Sequence, residues 1–396
     1  MISLGNDVSL GKGERTIQRH LKYAEYSKIN IHMILLSPIK NKQYRKLITR
    51  NNCLFIYPVI TNNHLLLIYK ALLKAIKICS EIDFDLIYSQ DPFGTALIGN
   101  IVRRIFNIPL LIGNHSSFAK NKIWTNEKPI YFRFLKLIMR FNLPLADAWR
   151  VNNQKEKEYY IKYYGIKSNR IVVNHTLVDY ETFASNHDKK VLANFRLKIT
   201  KDKSTKLLLW AGRPVKFKRI NLLIETFEKV IKEKPNTKLV LVGDFESSHL
   251  FNNLINEVDH NIKQNIYIFS KGADHSTLSK FYQVADLYLH TSSYEGFGVV
   301  LSEAALSGLP IVSTLSDGSK ENVENGKSGY LVDSSSSREI AKFIIKLLSD
   351  DRLRKEMSIY TKKRALVKYD KDQNLKIRDK LWKDVAKGGL NSSESL

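Results

Sequence analysis

The chain has 396 residues, enough for about two domains with a substantial core each, and its 63 Lys and Arg against 39 Asp and Glu give a formal net charge of +24, a field that attracts nucleotide diphosphates, nucleic acid or anionic lipid. Only Cys53 and Cys79 occur, without zinc-like spacing, so a disulfide framework is excluded and free thiols in a reducing compartment are expected. No apolar run reaches the ~18 residues of a spanning helix, and Met1-Ile2-Ser3-Leu4 lacks the basic and apolar regions of a signal peptide, which together predict a cytoplasmic protein.

Residues 2–5 read as a first strand already under way, as though the natural start lay a few residues upstream. Gly11-Lys12-Gly13 then precedes a helix carrying Leu21 and Tyr23, a strand, glycine loop and helix in which an ordinary turn and a ligand-facing loop are both possible readings. The alternation continues with strands at 31–36 and 53–59, a helix at 65–79, a strand at 86–88, a helix at 93–106 and a strand at 109–112. Such alternation predicts a parallel sheet wrapped by helices, with ligands beyond the carboxyl ends of its strands. His115 lies just past one such end. In 119–142, Lys120, Lys122, Lys128, Arg133, Lys136 and Arg140 interleave with Trp124, Tyr131, Phe134, Leu135 and Ile138. This pattern fits a basic amphipathic helix at a membrane interface, and equally a core helix with a solvated outer face. The helix at 65–79, with Lys70, Lys74 and Lys77 on one side, poses the same choice.

A further strand, helix and strand fill 147–173, and the polar, lysine-rich 184–204 reads as the linker. A second strand series starts at 207–210 and runs into Ala211-Gly212-Arg213-Pro214-Val215-Lys216-Phe217-Lys218-Arg219, then a helix bearing Leu222, Leu223, Ile224 and Phe227. Strands at 239–242, 266–269 and 285–289 follow, the middle one leading to Lys271-Gly272. Next comes His-Thr-Ser-Ser-Tyr-Glu-Gly-Phe-Gly-Val-Val-Leu-Ser-Glu over 290–303, in which Gly296 and Gly298 allow a tight turn and the run after Val299 suits a helix stopped by Gly308 and Pro310. Glu295 and Glu303 are too far apart to be helix neighbours. One acid at a reacting group and the other on a distant part of a long ligand would suit that spacing, as would a loop charge and a solvated helix residue.

The whole string from His290 to Pro310, with Arg213 and Lys218 upstream, resembles the signature of the family-four retaining nucleotide-sugar glycosyltransferases. The resemblance is sharp over 205–335 and one of pattern before that. It implies an α/β GT-B fold of two facing Rossmann-like domains and an interdomain cleft: an acceptor-binding domain at 1–190, a nucleotide-sugar-binding domain at 191–370, a helix at 371–387 packing back on the first domain, and a disordered tail at 388–396. It implies catalytic roles for His115, Arg213, Lys218 and Glu295, and donor binding by Gly13, Gly212, Gly272, Gly296, Phe297, Gly298, Val299 and Glu303. Arg213 and Lys218 match the basic pair on the donor diphosphate, and two fixed cations there stabilise charge that grows as the diphosphate leaves. Glu303 corresponds to the residue on the ribose hydroxyls. Arg219 replaces the family's usual glycine and reads as surface charge, as does Lys216; Asp317-Gly318-Ser319-Lys320-Glu321 departs from Gly-Gly-x-Pro-Glu, leaving Glu321 to cap a helix or meet the ligand.

The expected reaction is sugar transfer from a nucleotide sugar to a hydroxyl with retention, by front-side attack with oxocarbenium-like charge. No Asp-x-Asp motif stands where a diphosphate would need a metal, so no metal and no cofactor are expected, the nucleotide sugar being a substrate. The acceptor expected is a membrane-associated glycan or glycolipid of cell-surface polysaccharide synthesis, met at the inner face of the plasma membrane, with 119–142 on anionic lipid. A soluble acceptor, as in sucrose- or trehalose-type synthases, is the alternative. A nucleic-acid binder would explain the charge but not the Glu295 loop, and no RNA-binding aromatic motif is visible.

Overall fold

The structure is a computed structural model and describes residues 1–4, 14–37, 48–114, 129–202, 204–246, 248–333, 335–388 and 390. Gly13, His115 and the 119–128 part of the basic stretch lie outside them. The chain divides into two units, Met1–Leu177 with Asp372–Leu396, and Val178–Lys371.

In the first unit, β1 (Ile2–Leu4), β2 (Ile31–Ser37), β3 (Ile48–Arg50), β4 (Leu54–Ile60), β5 (Ile87–Ser89), β6 (Leu110–Gly113), β7 (Ala148–Val151) and β8 (Ile171–Val173) form one sheet in the order β3-β4-β2-β1-β5-β6-β7-β8. All neighbours are parallel except β3 on β4. Apolar residues cover both faces, as a parallel sheet requires. One face packs Leu67, Ala71, Ile98, Val102 and Met139 from helices His64–Glu81, Gly94–Phe106 and Pro129–Asn142. The other packs Ile17, Leu21 and Ala24 of helix Glu14–Ser27 with Leu375, Leu381, Trp382 and Val385 of helix Lys371–Ala386.

The second unit holds β9 (Lys206–Ala211), β10 (Thr237–Val242), β11 (Ile266–Phe269), β12 (Leu287–His290), β13 (Ile311–Thr314) and β14 (Gly329–Val332), all parallel, in the order β11-β10-β9-β12-β13-β14. The chain steps outward in one direction from β9 and in the other from β12, so the topological switch point lies between these two strands, where a crevice opens beyond their carboxyl ends.

Three features differ from the sequence expectation. The division falls at Leu177–Val178 rather than inside 184–204, because Phe183 and Ile199 are buried in the second unit's core and helix Lys189–Thr200, capped by Asp188, packs there with Leu192 and Phe195; the lysines that made it look like a linker occupy its outer face. Strand β3 was missed. It pairs antiparallel with β4 through a turn in which Asn51 and Asn52 take φ of 47° and 50°, and the Asn-Asn pair that tolerates this conformation was the available signal. The apolar stripe expected along 131–138 is split: Tyr131 and Phe134 are exposed while Leu135 and Ile138 are half-buried, and Ile130, Leu137 and Phe141 complete the exposed side.

Candidate active site

Two loops leave the sheet side by side at the switch point. After β9, Gly212 donates its amide to Val242 O (3.0 Å), Arg213 is exposed, and a single turn, Lys216–Lys218, brings Lys218 inward until it is 7% exposed. After β12, the chain passes through Thr291, Ser292 and Ser293 to Glu295. The loops are stitched together: Thr291 Oγ1 donates to Lys218 O (2.8 Å), and Ser293 N donates to Phe217 O (2.8 Å). This framework sets Lys218 Nζ 2.5 Å from Glu295 Oε2, with Arg213 in no ion pair among the described residues.

The same carboxylate oxygen faces a buried imidazole. His290 Nε2 is 3.4 Å from Glu295 Oε2, and the histidine is 1% exposed. Burial pushes the Glu295 carboxyl up, but the Lys218 charge and the His290 contact outweigh it and hold it down at about 2. Burial lowers the proton affinity of His290, opposed in part by Glu295 and reinforced by Lys218 and Arg219.

Arg219 is not loose surface charge. It adopts φ 49° and ψ 56°, a left-handed conformation that glycine takes without steric cost, and its Nε donates to Thr291 O (2.6 Å) while Nη1 donates to Ser335 Oγ (2.6 Å). The left-handed backbone costs an arginine about 1 kcal/mol or more, which the anchored guanidinium offsets.

Gly298 takes φ 78° at the entry to helix Val299–Leu306, and a Cβ there would lie 2.8 Å from Leu301 Cδ1. Gly318 is required for a different reason: its amide donates to Glu295 O (2.7 Å), and a Cβ would sit 2.9 Å from both Glu295 Cγ and the Phe297 carbonyl carbon. Gly296 is buried and Val299 is exposed at the first helical position, near the free amides of a helix start. Gly272, at φ 71°, has open space around it and donates its amide to Gly243 O (2.9 Å) at the end of β10. Phe297, expected at the donor, is instead a core residue, 4% exposed and edge-on to Tyr369, so that only its backbone could meet a ligand. Glu303 is no solvated helix charge: it is 5% exposed, 3.2 Å from the Tyr282 hydroxyl. Glu321 pairs with Lys368, whose ammonium also meets the Glu321 carbonyl, fastening the Asp317–Asn322 turn to helix Asp351–Lys368.

The first unit carries a buried polar cluster that the sequence reading passed over. Asn114 Nδ2 donates to Glu156 Oε1 (2.6 Å), Asn152 Nδ2 to Asn114 O (3.0 Å), and Arg150, 1% exposed, to Asn152 Oδ1 (2.7 Å) and Asn174 O (2.8 Å). Arg378 of the C-terminal helix reaches Asn174 Oδ1 (2.5 Å) across the ring of Tyr23. A signal was present: Asn114, Asn152 and Asn174 each follow directly on β6, β7 and β8, where short polar side chains bond the strand ends. Among the described residues, no group of three His, Cys, Asp or Glu is placed to hold a metal ion.

Two doubly wound α/β units, the second gathering cations and a carboxylate at its switch point, are the architecture of the GT-B glycosyltransferases, and a solved member shares it: Anabaena HepE, in complex with UDP and glucose, matches with a TM-score of 0.74 at 18% identity over 96% of this chain and 98% of that one. Residues 193–364 match the family described as Glycosyl transferases group 1 and residues 13–182 match Glycosyltransferase Family 4. The chain belongs to the group 1, family-four glycosyltransferases. Its curated relatives include a D-inositol 3-phosphate glycosyltransferase of Corynebacterium aurimucosum, 27% identical over 70% of this chain and 67% of the relative. They also include the Staphylococcus aureus capsular polysaccharide biosynthesis glycosyltransferase CapM, 29% identical over 40% of this chain and 41% of that protein.

Proposed function

We propose that the chain transfers a sugar from a nucleotide-sugar donor held by the second unit to a hydroxyl of a membrane-associated glycan or glycolipid held by the first, with retention of configuration and without a metal, in cell-surface polysaccharide synthesis. The observation that carries the donor half is the Lys218–Glu295 pair at the switch point, with Arg213 exposed in the same loop as Lys218. Lys218 and Arg213 supply the charge that a departing diphosphate needs, and Glu295 orients the sugar. Gly212, Gly272, Gly296, Gly298 and Val299 present backbone to the donor, and Glu303 takes the ribose hydroxyls. Gly13 and His115 are assigned to the donor and the transferred sugar on the resemblance alone.

The acceptor half draws on the exposed side of helix Pro129–Asn142, where Ile130, Tyr131, Phe134, Leu137 and Phe141 stand beside Arg133 and Arg140. Apolar and basic groups on one side suit an anionic bilayer surface. No described helix is long and apolar enough to cross a membrane; the contact proposed is a peripheral one, at the cytoplasmic leaflet. CapM, named for capsular polysaccharide biosynthesis, supports this acceptor class; the inositol-phosphate enzyme supports a soluble acceptor, the second reading. The test is a panel of nucleotide sugars read by thermal shift, since a donor at 100 times its Kd stabilises the folded state by about 2.7 kcal/mol. A shift by one donor, lost in Lys218→Ala, is expected. No shift with any donor overturns the proposal.

A further inference from the structure

His290 is a buried titratable group to which the family signature assigns nothing. Its Nδ1 lies 3.1 Å from Ser313 Oγ, and because that hydroxyl donates to Thr314 O (2.8 Å), it accepts from His290, which puts a proton on Nδ1. Nε2 faces two groups: Ser292 Oγ at 3.0 Å and Glu295 Oε2 at 3.4 Å. A hydroxyl can donate to a bare Nε2 or accept from a protonated one, so the surroundings admit both the neutral and the charged ring. The other charged or titratable groups facing the ring are Lys218, Arg219 and, stacked 6.4 Å away on the same strand, Tyr288.

The Glu295 carboxylate is thus shared between a lysine in direct contact and a histidine one step further off. If Lys218 turns to a diphosphate, Glu295 loses its nearest cation in a position where a carboxylate left without a partner is costly. Resting on the donor assignment above, we propose that His290 is a positioning residue that takes over the Glu295 carboxylate when an anionic diphosphate draws Lys218 away, binding a proton as it does so and coupling donor binding to proton uptake. The proton comes from solvent and adds to Nε2; Ser292 Oγ changes from donor to acceptor, and no other bond is made or broken. The sign is set by charge: moving Lys218 toward the diphosphate removes a repulsion on the imidazolium, and the diphosphate itself adds an attraction.

Calorimetric titration of the full chain with UDP and with GDP, each in two buffers of different ionisation enthalpy, counts the protons exchanged on binding. We expect wild type to take up more protons than His290→Gln, whose side chain keeps hydrogen bonding but cannot be charged. In parallel, the loss of kcat as pH rises should be present in wild type and absent in the glutamine variant. Should His290→Gln fail to fold, Glu295→Gln serves in its place, because a neutral partner removes the attraction that holds the proton. Equal proton uptake in wild type and variant, with normal nucleotide affinity, overturns the role of His290 alone. Failure of wild type to bind UDP, GDP or any other nucleoside diphosphate overturns the donor assignment and this coupling with it.

Discussion

Lys218 and Glu295 neutralise each other at 2.5 Å, so each substitution there has two effects. Lys218→Ala or Arg213→Ala removes a cation from the leaving diphosphate and should lower kcat/KM on the order of 10²-fold, read in steady-state assays; near-normal turnover in both contradicts the assignment. Lys218→Ala has a further consequence, because the lysine is the largest influence holding the Glu295 carboxyl down at about 2 against burial. The depressed value stabilises the folded protein above the ordinary carboxylate range near 4.5, and that contribution is lost as pH falls from there toward 2. Denaturant melts at stepped pH should therefore show wild type losing more stability over this interval than the alanine variant. Glu303→Gln should raise KM and weaken nucleotide affinity, whereas Glu295→Gln should mainly lower kcat. Equal effects of both on nucleotide affinity would contradict the division of roles.

At the scale of elements, the site is a pair of loops whose shape depends on backbone at two positions. Gly318→Ala places a methyl group 2.9 Å from Glu295 Cγ and the Phe297 carbonyl carbon, which the loop can relieve only by moving. A cost of about 1–3 kcal/mol in chemical denaturation and a fall in kcat larger than any rise in KM are expected. Arg219 gives the opposite case. Arg219→Gly removes the left-handed strain together with the bond to Thr291 O, so its stability should stay within about 1 kcal/mol of wild type. Arg219→Ala keeps the strain and loses the bond, and should be the less stable of the two. If alanine matches wild type there, the guanidinium is not what holds the turn.

For the molecule as a whole, charge and exposed apolar area are what the proposed membrane contact rests on. The first 190 residues hold 29 basic and 14 acidic residues, and two helices of the first unit expose apolar groups beside that charge: Leu65, Tyr69 and Leu73 near Lys70 and Lys77, and Ile130, Phe134 and Leu137 near Arg133 and Arg140. Each Lys or Arg at an anionic surface contributes about 1 kcal/mol, screened by salt. Vesicles containing anionic lipid should therefore co-sediment wild type at low salt and release it at high salt. Arg133→Ser with Arg140→Ser should weaken binding roughly 10-fold or more, and Phe134→Ser with Leu137→Ser should weaken binding even where salt has already removed the electrostatic part. Wild type that ignores such vesicles at low salt would leave the soluble acceptor as the reading.

The sequence by itself determined the alternation of strands and helices, and with it two sheets that are parallel but for the edge strand β3, because a run such as Leu207-Leu208-Leu209-Trp210 buries both its faces when helices cover both sides of a sheet. It also located the Glu295 loop and its stop at Gly308, since glycine and proline act on the backbone locally wherever they stand. What only the tertiary structure decided depends on residues distant in the chain. Lys218 and Glu295 are 77 positions apart and meet because β9 and β12 are neighbours in the sheet. The burial of Glu303 beneath Tyr282, the retreat of Phe297 into the core and the anchoring of Arg219 on Thr291 have the same origin. The helix within 184–204 was illegible for a related reason: its few apolar residues count only once the second unit's core is there to receive them.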